Sequence, residues 1–267
     1  MMVQDKDYKE HTIFSELDVY INFYHSFSRS IMGFATLGTT AMLNMDTYVY
    51  SSIQGTVDSI KILLEKGRIN DSYCLLRKYY DSAIINIYSN LYLEENRSVE
   101  RLFVDKINNW LHGKEKIPEY NVMSQYIRRS ERLKEINALL YADDRYKKIR
   151  FRCNDHTHYN FFNHLMLNDN EIYLKDRLAV LNYFTEDLRD IFILHLSYIF
   201  SLHQHYMMAS DYMDYLDCGM QPPDNSQYWV APFIQKVFYD VIKQNRSDIA
   251  LFILSNTTMY LSEDHKS

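Results

Sequence analysis

The chain has 267 residues, 47% hydrophobic and 24% charged, with a formal net charge of −6 at pH 7. That length can bury a large core, and the acidic balance speaks against general coating of duplex nucleic acid, which needs a broad basic face. Six Gly and four Pro, where usual frequencies give about 19 and about 13, leave few tight turns. With apolar residues recurring at three and four, this predicts an all-α fold.

The N-terminal Met1–Glu10 lacks the apolar core of a signal peptide. A first helix is predicted from about Ile13 to Ser30, with Thr12 or Ser15 near its cap, followed by a weakly patterned stretch from Gly33 to Asp46. Val49, Ile53, Val57, Ile60 and Leu64 give Tyr48–Lys66 helical spacing, and Gly67 is a stop signal. Asn70 or Asp71 would cap the next helix, which runs to about Glu95 and forms an antiparallel hairpin with its predecessor. Ser98 opens a helix ending near Gly113, and His112–Asn121, with Pro118, reads as a loop. A basic amphipathic helix, about Met123–Leu140, carries Arg128, Arg129, Arg132 and Lys134 with Glu131 and Glu135 interleaved. Asp143 or Asp144 starts another helix, and Asn168-Asp169-Asn170 is a turn.

From Glu171 to about Tyr215 the apolar rhythm predicts one long helix, kinked or straight. Its oiliest run, Ile191–Leu202, has twelve residues, includes His195, and is too short to span a bilayer. Cys218–Gln227, with Gly219 and Pro222-Pro223, is the clearest break, followed by helices at about Trp229–Gln244 and Ser247–Leu261. The expected organisation is a helical bundle over residues 1–217 with a C-terminal helical hairpin extension over 228–267. Cys74, Cys153 and Cys218 are odd in number and without a CxxC, as for free thiols in a reducing, cytoplasmic compartment. The 24 Tyr fit a core of rings whose hydroxyls stay paired or wet.

The segment Arg145-Tyr-Lys-Lys-Ile-Arg-Phe-Arg-Cys-Asn-Asp-His-Thr-His158 is out of character with an acidic chain. Arg145, Lys147, Lys148, Arg150 and Arg152 place five cations in eight residues, and Asn154, Asp155, His156 and His158 follow. Such a run attracts phosphate. Arginine offers a planar fork to phosphate oxygens, and an imidazole moves a proton near neutral pH. On a helix Arg150, Asn154 and His158 form one stripe, and Arg152 and His156 another about 160° round. An Arg–His pair of this kind cleaves RNA without metal when the His takes the 2′-hydroxyl proton or protonates the leaving 5′-oxygen and the Arg stabilises phosphoryl charge. The plainer alternative is a solvated helix face.

Arg152 to His158 and Arg150 to His156 each enclose five residues. That spacing resembles the signature of the HEPN superfamily (higher eukaryotes and prokaryotes nucleotide-binding), Arg, four to six residues, then His. Cys153–Asn160 is also similar to poorly characterised bacterial HEPN-like proteins, in which an earlier long helix carries an Arg and, a turn later, an acid, as Arg77 and Asp81 do here. The likeness covers roughly Tyr48–Met166. It implies an up-and-down HEPN-like bundle and a metal-independent endoribonuclease acting on single-stranded or tRNA-like RNA. It further implies a homodimer that brings two motifs together, and a place in toxin–antitoxin or phage-defence systems with a cognate antitoxin or defence partner. Carried over residue by residue, Arg152 stabilises the transition state, His158 is acid or base and Asn154 orients. Arg77, Asp81, Arg150, Asp155 and His156 support them, and Arg145, Lys147 and Lys148 hold RNA. The residue after the Arg, commonly polar in active members, is Cys153 or Phe151 here. The alternative is a non-catalytic nucleotide-binding or protein-interaction module.

No metal or other cofactor is expected: His195, His203 and His205 lack the three- or four-residue spacing of helical ligands. Nor is there a Gly-rich phosphate loop or a Gly-x-Ser-x-Gly motif.

Overall fold

Helices dominate residues 1–31, 39–98 and 104–262, which the computed structural model describes. In chain order they are α1 (Lys6–Lys9), α2 (Thr12–Ser30), α3 (Met45–Glu65), α4 (Ile69–Asn96), α5 (Asp105–Leu111), α6 (Tyr120–Arg129) and α7 (Lys134–Leu140). Then come α8 (Arg145–Thr157), α9 (Phe162–Met166), α10 (Arg177–Leu202), α11 (Asp211–Asp217), α12 (Pro232–Val237) and α13 (Ser247–Asn256). Strand pairing among the described residues is limited to one isolated bridge, Met208 to Val230. The chain is all-α.

It divides into two compact units. One gathers Met1–Ser28, Asp46–Asn86 and Asp143–Phe192; the other gathers Arg29–Met45, Ile87–Ala142 and Ile193–Ser267.

The first unit is built on three- and four-residue spacing. Ile13, Leu17, Tyr20, Tyr24 and Phe27 of α2, and Tyr50, Ile53, Val57, Ile60 and Leu64 of α3, are all buried. Each such side chain contributes about 1.5–3 kcal/mol of transfer free energy. Tyrosines close this core: Tyr20 stacks on Phe192 at 4.1 Å and its hydroxyl donates to Glu16 Oε2 at 3.0 Å, the Tyr24 and Tyr79 hydroxyls meet at 2.8 Å, and Tyr8 donates to the Leu64 carbonyl at 2.6 Å. The α3 terminus is a Schellman turn. Gly67 takes φ +77°, its N–H bonds the Leu64 carbonyl, and the Arg68 N–H bonds that of Leu63. Asn70 and Asp71 lie inside α4 rather than capping it. The cap comes from far along the chain, where the Leu167 carbonyl accepts from the Ile69 N–H and Asn168 Oδ1 from that of Asp71, at 3.2 Å.

In the second unit the expected basic helix is broken. Ser130 is extended, at φ −66° and ψ 123°, and separates α6 from a 3-10 turn that leads into α7. Glu95 holds the break, accepting from Ser130 Oγ at 2.8 Å and Tyr126 OH at 2.5 Å. Asn137 Nδ2 donates to the Ile127 carbonyl at 3.0 Å, which also accepts from the Ser130 N–H at 3.3 Å. The long helix expected from Glu171 starts only at Arg177 and stops at Leu202, because His203 (φ −132°, ψ 68°) leaves helical geometry. His203 Nε2 lies 2.7 Å from Asn90 Oδ1. The helix expected over Trp229–Gln244 is α12 followed by a π segment, Phe238–Lys243. Residues 99–103 lie outside the described residues, so the helix expected from Ser98 is seen from Asp105; so do Gly33 and Gly38.

Candidate functional site

α8 carries the basic and histidine residues, and its buried side sets where they point. Tyr146, Ile149, Cys153 and His156 fall on one face and are buried. Arg150 and Arg152, about 200° apart around the axis, flank that face on opposite sides.

On one flank Arg152 makes a two-point bond to Asp187 of α10. Nε donates to Oδ2 at 2.8 Å and Nη2 to Oδ1. The Asp187 side chain is only 1% exposed. Burial pushes its carboxyl up to about 6 although Arg152 pulls it down, and the bond to Asp187 raises the guanidinium of Arg152. On the other flank Arg150 Nη1 donates to Asp81 Oδ1 of α4 at 2.6 Å, and Arg77 Nε approaches Asp81 Oδ2 to 4.0 Å. Asp81 therefore sits between two guanidinium groups. The thiol of Cys153 is fully buried. Burial pushes it up, while Arg152, Arg150 and Arg77 draw it back.

His156 points inward. Its ring is stacked between Tyr73 (3.9 Å, 9°) and His164 (3.9 Å, 17°). Its Nδ1–H donates to Asn70 Oδ1 at 2.8 Å, and burial holds it down to about 3. It is a neutral core ring at physiological pH. His164 in turn donates from Nδ1 to the Asp155 carbonyl at 3.2 Å.

His158 caps α8, its N–H bonding the Asn154 carbonyl at 3.0 Å, and its imidazole is exposed. Asn154 Oδ1 is buried without a hydrogen-bond partner among the described residues. Arg150, Lys147, Asn154, His158 and Phe151 occupy about 100° of arc on the helix. Lys147 and Phe151 are exposed, with Lys147 Nζ 5.7 Å from the Phe151 ring centre.

The cations of the segment are mostly committed. Arg145 binds Asp143 and Asp190 at 2.8 and 3.0 Å, and Lys148 binds Asp144 at 2.8 Å. Asp155 accepts from Asn160 Nδ2 at 2.7 Å. Of the five, Lys147 alone has no carboxylate partner among the described residues. The structure thus brings Arg77, Asp81 and Arg150 together and puts Asn154 and His158 on the adjoining face. It turns Arg152 about 120° away from His158 and withdraws His156. Sequence reasoning missed Asp187, Asn70, Tyr73 and His164. Asp187 had a legible signal, an acid three residues after Phe184 and four before Ile191 on an inward helical face.

Among the described residues no helix is long and apolar enough to cross a membrane, and no three His, Cys, Asp or Glu side chains converge as a metal-ligand set. In comparison with known proteins, no family model, curated protein or solved structure matches this chain.

Proposed function

We propose that this chain is an HEPN-like endoribonuclease working without metal, in growth control or phage defence. The observation that carries the reading is the single face of α8 presenting Arg150, Asn154 and His158, with Arg77 and Asp81 of α4 beside Arg150. Arg150 and Arg77 converge on Asp81, and a phosphoryl oxygen arriving there would meet two guanidinium groups. His158 is the exposed proton carrier. Its imidazole takes the 2′-hydroxyl proton, the 2′-oxygen bonds to phosphorus, and the 5′-oxygen leaves. The same residue of a second copy in a homodimer returns a proton to that 5′-oxygen. Arg152, held by Asp187, positions α8 and does not touch the phosphate.

The test is cleavage of a mixed RNA pool in the presence of a chelator. Wild type should yield 2′,3′-cyclic phosphate ends, and His158→Ala should lose about 10²–10⁴-fold in rate with an unchanged melting temperature. Equal cleavage by both would overturn the assignment. A second reading, a non-catalytic module that binds a nucleotide or a partner, is favoured by the carboxylate pairing of four of the five cations of Arg145–Arg152. It predicts binding with no cleavage of any RNA.

A further inference from the structure

Apolar rings are usually the first groups a protein hides, yet they crowd the solvent side of the chain around His158. Phe151 is 55% exposed, Tyr159 44%, Phe161 58% and Phe162 74%. Phe151 lies two turns before His158 on the same face of α8. Tyr159, Phe161 and Phe162 follow His158 within four residues, so their Cα atoms lie within about 15 Å of its own.

The backbone that carries these rings is folded, with Phe162 the first residue of α9. Tyr159 takes φ +50°, a left-handed turn uncommon for an aromatic residue, and the chain reverses there into α9. Phe161 packs its ring edge-on to His164 at 5.4 Å, and His164 belongs to the stack on His156. The chain therefore carries aromatic residues before and after a solvent-exposed His158, with Lys147 beside Phe151 and Arg150 on the same helical face.

We infer that Phe151 and the Tyr159–Phe162 rings form a stacking platform for unpaired bases of RNA, flanking the phosphate whose 2′-hydroxyl His158 serves. Two features select this occupant over an apolar partner. Lys147 borders Phe151, matching a phosphate of a strand. Four of the five large apolar side chains exposed between residues 151 and 166 are rings, with Leu165 the exception, and rings are what successive bases stack on. A duplex keeps its bases stacked on each other and cannot use such rings. The proposal rests on the ribonuclease reading for the placement of the phosphate, and it adds the side chains that would hold the neighbouring bases and a loose sequence preference, since every base has a π-face.

The experiment measures affinity and cleavage separately. In the His158→Ala background at fixed salt with chelator, a fluorescent oligoadenylate is titrated against the same strand paired with oligouridylate. The free strand should bind at least about tenfold more tightly. Phe162→Ala should weaken it about tenfold and Phe162→Trp restore it, with the salt dependence unchanged because no phosphate contact is lost. Circular dichroism melts check folding, and Phe151→Ala repeats the test on the other flank. Equal binding of single strand and duplex, or no effect of either Ala variant, overturns the platform. So does a Phe162→Ala variant that only shifts a dimer to monomer, which makes the face an interface between copies. Ring-dependent binding without cleavage by the wild type upholds the platform and overturns the nuclease. Cleavage indifferent to the rings does the reverse, and neither binding nor cleavage overturns both.

Discussion

Arg152 and Asp187 form a two-point ion pair in which the carboxylate is almost wholly buried and the guanidinium a third exposed. The acid has been taken out of water, and the arginine is its compensation.

Removing that compensation should be costly. Arg152→Ala should lower the unfolding free energy by about 2–3 kcal/mol, less than the about 3–5 kcal/mol of a fully buried pair because water reaches the arginine. Arg152→Lys, which cannot reproduce the two-point fork, should recover only part. Urea unfolding monitored by circular dichroism measures both. Wild-type stability in Arg152→Ala would mean that the pair does not hold α8 to α10.

Two buried groups give the fold opposing pH dependences. His156 is held at about 3 in the fold against 6.5 for a free imidazole, so the unfolded chain binds its proton more readily. Its contribution is complete above pH 6.5 and is lost as pH falls toward 3, about 2 kcal/mol by pH 5. Asp187 is raised to about 6 from 3.8, so protonation favours the folded state, and its effect improves as pH falls from 6 to 4. Between pH 7 and 5, Asp187→Asn should therefore lose about 2 kcal/mol, while His156→Phe should gain about 1 kcal/mol. Identical pH dependences in urea titrations of the two variants and wild type would refute this.

Glycine is required at Gly67 for two reasons and at Gly113 for one. Both have positive φ, +77° and +68°, and an L residue there costs about 1–2 kcal/mol. A Cβ on Gly67 would also lie 2.5 Å from Val3 Cγ2 and 3.2 Å from Asn170 Cβ, whereas one on Gly113 meets nothing within 4 Å. Gly67→Ala should depress the melting temperature clearly more than Gly113→Ala. Equal shifts would show that Val3 and Asn170 yield freely.

Arg177 is fully buried. Its fork donates to the carbonyls of Met1 and Ile172, both at 3.1 Å, and of Asp169 at 2.6 Å. Arg177→Lys, a compact donor that cannot span three acceptors, should cost about 2 kcal/mol, and Arg177→Met, which strands all three, more than about 3 kcal/mol. Chemical denaturation gives the order, and an Arg177→Met variant as stable as wild type would discount the fork.

The helical class, the stop of α3 at Gly67 and the start of α8 were legible because local spacing and turn chemistry dictate them. The breaks at Ser130 and His203 were not: each is stabilised by a residue distant in sequence, Glu95 and Asn90. The stripe of Arg150, Asn154 and His158 followed from helical geometry alone. Which arginine would be spent on structure did not, because that depends on Asp81 and Asp187, 69 and 35 residues away.

The two arginines of α8 reach in nearly opposite directions to different helices, Arg150 to α4 and Arg152 to α10. A cylinder tethered at two such azimuths cannot roll about its own axis without tearing one tether. The compass bearing of the helix end that carries the imidazole is thereby set, and a visitor that lured Arg150 away from its carboxylate would loosen the spindle on that side only.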